Sequence, residues 1–186
     1  MGKDAFDVSK AISPVALIQH FNDHRIPLVL IGAKACNVLG SSRLSGDMDW
    51  AARIVDADQI IDLMYELDYR MPLSVDSNQN VTWAEKKTVA KNYANRAKLG
   101  ALNFYLRDEQ GEVIDQIDFV FENPVPFAIL KRDAAIVSEN PRLACASVDH
   151  LIQMKEKRIA EGKGKDTDHT DIQFLQKVKS KKKGGK

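Results

Sequence analysis

The stretch from Leu39 to Ala51, LGSSRLSGDMDWA, sets two carboxylates one residue apart where a polar loop meets an apolar segment. On a strand, residues i and i+2 face the same way, so Asp47 and Asp49 project together while Met48 and Trp50 turn to the other side. Two like charges at that spacing repel, and burying them unpaired costs on the order of several kcal/mol. The arrangement is sensible if a divalent cation sits between them. Hard cations such as Mg²⁺ (or Mn²⁺) choose carboxylate oxygens, keep several waters and commonly share their site with substrate phosphates. An Asp-x-Asp pair alone is often no more than a solvated strand edge or a turn. Here the context adds weight: an apolar run into Gly32, a short helix, the small-residue loop GSSRLSG, then the pair.

The segments around the pair predict an α/β chain. SPVALIQHFNDHRI opens on Ser-Pro and carries Val15, Ile18 and Phe21 near helical spacing. PLVLIG reads as a buried strand, AKACNVLG as a helix closed by Gly40, and DMDWAARIV as a second strand. DADQIIDLMYELDYR repeats apolar positions at Ile60, Ile61, Met64 and Leu67, an amphipathic helix. From Pro72 to Lys98 the signal is poor, with polar loops around Asn78 and a short strand candidate near Val81. ALNFYLRDEQGEVIDQIDFVFE alternates on both sides of DEQGE and predicts a β-hairpin. NPVPF breaks the chain, and two helices follow, the first capped by Ser147 or Asp149. The expectation is one domain over about residues 1–178, with a mixed sheet and flanking helices in a core of about 12–122, then a helical part over about 124–178. The basic end, KVKSKKKGGK, is expected to be a disordered tail from 179 to 186.

The second hairpin strand, IDQIDFV, offers a third carboxylate. Asp115 and Asp118 lie on opposite faces of it, so at most one can join the pair. Asp118 is preferred because two apolar residues follow it, with Asp115 as the alternative.

Composition narrows the function classes. A formal net charge of +1 supplies no global attraction to nucleic acid or membrane. No segment reaches the roughly 18 apolar residues of a membrane span, and the start has no signal-peptide core. The two cysteines, Cys36 and Cys145, stand among apolar neighbours with no metal-like spacing. The expectation is a reducing, cytoplasmic setting with no membrane partner.

LIGAKACNVLGSSRLSGDMDWAARI resembles the signature of the polymerase-β-type nucleotidyltransferase superfamily. There a strand ends in a Gly-Gly or Gly-Ser pair, a helix follows, and an Arg-x-Ser/Thr-x-Asp-x-Asp segment supplies metal ligands. Arg43, Ser45, Asp47 and Asp49 match it in register. SVDHLIQMKEKRIAEGKGKDTDHTDIQFL is similar to a second hallmark, that of the minimal bacterial branch with its AbiEii-like toxins. Lys155, Lys163, Lys165, Asp166, Asp171 and Leu175 occupy its places. The resemblance implies a nucleotidyltransferase-like mixed sheet and transfer of a nucleoside monophosphate from an NTP to an acceptor hydroxyl of tRNA, protein or a small molecule. It implies Asp47, Asp49 and Asp118 as metal-holding catalytic residues, and Gly32, Ala33, Arg43, Ser45 and Lys155 as nucleotide contacts. The chain departs from the pattern at Gly32-Ala33, where many members carry Gly-Ser. A hydroxyl contact to phosphate is lost while the backbone amides remain. A different class of function is a non-catalytic nucleotide- or partner-binding module on the same fold, the antitoxin or regulatory half of a pair.

Several residues have plainer readings. Lys155 stands in a charge run with Lys157 and Arg158, which without the resemblance reads as a solvated face. Asp166, Asp168 and Asp171 read as capping and helix-packing residues. Trp83 and Tyr93 are able to stack a base but read first as core or loop residues.

Overall fold

A computed structural model of the chain describes residues 11–184. Helix α1 (Pro14–Asp23) starts where the sequence places it: Ser13 caps it, its Oγ accepting from the Ala16 N–H at 3.1 Å, and Pro14 takes the first turn. Its buried stripe is Leu17, Ile18 and Phe21, so Val15 faces outward instead. Strand β1 (Val29–Leu30) leads into α2 (Gly32–Val38), and after the loop comes β2 (Met48–Ala51). Helix α3 (Ala57–Glu66) buries Ile60, Ile61, Leu63 and Met64. The expected hairpin is β5 (Ala101–Arg107) and β6 (Val113–Val120). Helix α6 (Val148–Ala160) is capped by Ser147, whose Oγ accepts from the His150 N–H at 3.3 Å, and α7 spans Asp166–Gly184.

Six elements lie where the sequence signal is weak or missing. β3 (Met71–Val75) and β4 (Val81–Ala84) pair as a separate hairpin, and α4 covers Lys87–Ala97. Beyond α5 (Phe127–Arg132), β7 (Ala135–Glu139) and β8 (Arg142–Cys145) form a further hairpin. The part after residue 124 therefore supplies strands as well as helices.

The main sheet runs β5-β6-β2-β1-β8-β7 among the described residues. β2 lies antiparallel to β1 and parallel to β6, and β1 is parallel to β8. One face carries Met48, Trp50, Ile117 and Phe119, all buried, with Phe119 against Phe21 and Phe104 at ring separations of 5.3 and 5.8 Å. With that face sealed in the core, the alternate residues of β2 and β6 turn toward the cleft side. Helix α7 continues through Gly184, past the point where the tail was expected to lose structure, and Lys179 Nζ sits 2.6 Å from Asp149 Oδ1. The last two residues of the expected tail, and residues 1–10, lie outside the described residues.

Candidate active site

Strand β1 ends at Leu30, and Gly32 opens α2 with a φ of +66°. That left-handed conformation favours glycine, and contact requires it as well. A Cβ on Gly32 would fall 1.9 Å from Asp49 Oδ2 and 2.7 Å from its Cγ. The Asp49 carboxylate thus rests directly on the start of α2, and the Ile31 N–H donates to the Asp49 carbonyl at 3.0 Å. The loop before β2 is tied back to α2 by Asn37, whose amide donates to the carbonyls of Ser41 (2.9 Å) and Arg43 (2.6 Å). Ser45 Oγ donates to the Asp47 carbonyl at 3.4 Å.

Parallel pairing sets Asp49 opposite Asp118, so β2 and β6 present their carboxylates on one face. Asp118 is also opposite Asn103 of β5, and Gln116 Nε2 lies 3.1 Å from both of its carboxylate oxygens. The electrostatics match the crowding. Burial first, then Asp118 and Asp47, push the Asp49 carboxyl up to about 6, opposed by Arg158 and Lys165. Burial also raises Asp118, against the hydrogen bonds from Asn103 and Gln116. Asp115 points elsewhere: it accepts from the Tyr69 phenol and from the Gln116 N–H at 3.0 Å. Of the two carboxylates weighed from the sequence, Asp118 is the one facing Asp49.

The opposite wall comes from α6 and α7. Lys155 is only 6% exposed, which overturns the solvated-face reading. Its ammonium lies 2.6 Å from Asp171 Oδ2 and 3.2 Å from Asp168 Oδ1. Arg158 grips Asp168 through Nε at 2.9 Å and Nη2 at 2.6 Å, and the Lys165 N–H donates to it at 2.9 Å. Arg43 Nε stands 3.1 Å from Asp171 Oδ1, which fastens the loop before β2 to α7. Burial alone would raise the Asp168 carboxyl, yet the hydrogen bonds from Arg158, Lys165 and Lys155 hold it down at about 2. Asp168 and Asp171 are therefore more than packing residues. They are the anions of a buried network in which three cations share two carboxylates.

Between the walls lies a cleft of about 620 Å³. Gly32, Ala33, Arg43, Ser45, Asp47, Asp49, Asp118 and Lys155, the residues singled out from the sequence, all line it. So do Gln116, Arg158, Lys163 and Lys165. Gln116 carries a signal that was available, since it lies two residues from Asp118 on the same strand face. Arg158 sits on α6 one turn from Lys155, a spacing that puts both on one side of the helix. The cleft is bipolar, with Asp47, Asp49 and Asp118 on one side and, on the other, cations from α6, from the α6–α7 connection and from the loop before β2. Among the described residues, no group of three or more His, Cys, Asp or Glu side chains is arranged to hold a metal ion by itself. No helix among them is long and apolar enough to cross a membrane.

No protein-family model and no curated protein sequence matches the chain. Solved structures similar to it include the following two. One is the lincosamide antibiotic adenylyltransferase LnuA in its lincomycin-bound form, 13% identical, with a TM-score of 0.54, covering 87% of this chain and 93% of that one. The other is the antibiotic-resistance factor ANT(2'')-Ia, 10% identical, with a TM-score of 0.51, covering 88% of this chain and 84% of that one. The likeness is one of architecture: the chain has a mixed α/β fold matching that of nucleotidyltransferase structures.

Proposed function

We propose that the cleft binds a nucleoside triphosphate with Mg²⁺ and transfers its nucleoside monophosphate to an acceptor hydroxyl. The observation that carries this reading is the bipolar cleft, with Asp47, Asp49 and Asp118 facing Arg43, Lys155, Arg158, Lys163 and Lys165. The donor set fits a hard divalent cation: carboxylates share one face, and Asp49 is held near 6 in part by its neighbours' charge. A hard cation of this kind keeps waters and shares its shell with substrate phosphates, so a few carboxylates suffice to hold it. When bound, the cation supplies charge neutralisation at the α-phosphate and lowers the pKa of the acceptor hydroxyl.

The chain's own residues divide the remaining work. Asp47 and Asp49 hold the cation, and Asp118 takes up the acceptor proton. Gln116 fixes the rotamer of Asp118. The acceptor oxygen bonds to the α-phosphorus as the α–β bridging bond breaks, and pyrophosphate leaves with its electron pair toward the cationic wall. Lys155, Arg158 and Arg43 retain their carboxylate partners and still present one excess positive charge to it.

The finer reading, a toxin-like member of the AbiEii-like branch acting with an antitoxin partner, rests on the sequence hallmark at Lys155, Lys163, Lys165, Asp166, Asp171 and Leu175. The antibiotic named with the adenylyltransferase structure makes a small molecule as reasonable an acceptor as tRNA or protein. A non-catalytic nucleotide-binding module is the second reading, favoured by Ala33, which puts a methyl group where a hydroxyl would meet phosphate. The test is label transfer from each α-³²P-labelled NTP, with Mg²⁺, to tRNA, to a cell-protein fraction, and to lincomycin. Transfer from at least one NTP, lost in Asp118→Asn, is the expected result. Tight Mg²⁺-NTP binding with no transfer to any of them would favour the module.

A further inference from the structure

After β2 the chain makes one tight turn, Ile54–Asp56, before α3 begins. Arg53 clamps that turn: its Nε and Nη2 donate to the two carboxylate oxygens of Asp56, both at 2.7 Å. The clamp holds two adjacent β-branched side chains outward, with Ile54 59% and Val55 79% exposed. Single exposed apolar residues are ordinary, but this pair borders a groove of about 240 Å³. One wall is the start of α3, with Ala57 and Asp58, and the other is the end of α4, with Ala94 and Asn95. Leu99, Leu102 and Phe121 supply the apolar lining between them. The turn is a clamped apolar knob set beside an apolar hole.

Charge is divided across that hole. Asp58 is exposed on the α3 wall, while Arg96 in the last turn of α4 and Lys98 just after it are exposed beside the other. Further along the same two helices the seam is closed within the chain, where Lys87 and Lys91 reach Asp62 at 3.2 and 2.6 Å. At the groove it is not: among the described residues, Asp58, Arg96 and Lys98 have no ion-pair partner.

We propose that this face joins two copies of the chain about a two-fold axis. In such a contact the same patch serves both copies, so a knob must lie beside its own hole, and Val55 of each copy enters the groove of the other. The axis also exchanges the walls, which sets Asp58 of each copy against the partner's Lys98 and Arg96. Because the turn is already clamped, little freedom is lost when it docks. None of Ile54, Val55, Asp58 and Lys98 lines the cleft, so the interface stands apart from the nucleotide reading.

Sedimentation velocity of the full chain from about 1 to about 200 µM reads the association, which mass action makes concentration-dependent. A species of twice the chain's mass is expected at the upper end. Val55→Asp should weaken self-association about 30-fold or more, the scale of a central interface anchor, and should leave the circular dichroism spectrum unchanged because Val55 is exposed. Asp58→Lys and Lys98→Asp should each weaken it alone, since each sets like charges across the axis. An equimolar mixture of those two variants should form a heterodimer, because both cross-axis pairs are then opposite in sign. Wild type that stays monomeric at every concentration would overturn the proposal and leave the face to a different protein. A dimer that survives Val55→Asp, or a mixture no more associated than either charge variant alone, would overturn it as well.

Discussion

Asp49→Asn should melt at least as high as wild type in EDTA at pH 7, and should lose Mg²⁺-dependent transfer by more than about 100-fold. The activity loss exceeds the 10- to 100-fold typical of residues that only support a metal ligand. The stability gain follows from the site's electrostatics. The folded-state carboxyl of Asp49 titrates near 6, above its ordinary 3.8, because it is buried beside Asp118 and Asp47. A raised carboxyl binds more protons in the folded than in the unfolded state, so it destabilises the fold above its folded pKa. The penalty is on the order of 3 kcal/mol at neutral pH and is relieved as pH falls from about 6 to about 4. Metal-free wild type should therefore gain melting temperature over that window, and Asp49→Asn should lack the gain. A structural aspartate gives the reverse pattern, with an amide variant that melts well below wild type in EDTA.

Asp168→Ala should be the most destabilising change in the cleft, by about 3–5 kcal/mol, the scale for breaking a buried charge network. Asp168 is 0% exposed and accepts from Lys155, Arg158 and the Lys165 N–H, so its removal leaves Arg158 and a backbone donor without their acceptor and Lys155 with Asp171 alone. In a chain of this size that lowers the melting temperature by roughly 6–20 °C. Its pH signature runs opposite to that of Asp49. A depressed carboxyl stabilises the fold above its unfolded pKa, and that contribution is lost as pH falls from about 4 to about 2. Differential scanning calorimetry from pH 7 to pH 2.5 should show wild type rising and then falling. Asp168→Ala should lose the acid limb.

The part of the site legible in the sequence is the part whose partners are close in sequence. An apolar run, a glycine, a short helix and Asp-x-Asp lie within 23 residues, and period-2 alternation alone puts Asp47 and Asp49 on one face. The same alternation separates Asp118 from Asp115. Lys155 was opaque because its partners, Asp168 and Asp171, lie on another helix, and a charge run looks the same whether solvated or paired. Val15 misled for a related reason: helical spacing admits two neighbouring stripes, and packing against the sheet chose Leu17 over it. β3 carries Pro72 and Ser74, which weaken its alternation, and β7 and β8 are each five residues or fewer. β8 pairs locally with β7, but it joins the main sheet through β1, more than a hundred residues upstream, which no local window contains. The lysine-rich end reads as disordered by composition, yet it extends a helix already nucleated upstream and held to α6 by Lys179.

The central claim is that the sheet carboxylates and the α6–α7 cations together bind a metal-bound nucleoside triphosphate. Isothermal titration of the four NTPs into the full chain tests it most directly, with Mg²⁺ and with EDTA, for wild type and Asp49→Asn. The account predicts saturable 1:1 binding of at least one NTP by wild type in Mg²⁺, weakened about 100-fold or more by EDTA or by Asp49→Asn. Binding of equal strength in Mg²⁺, in EDTA and in the variant, or no binding of any NTP, would contradict it.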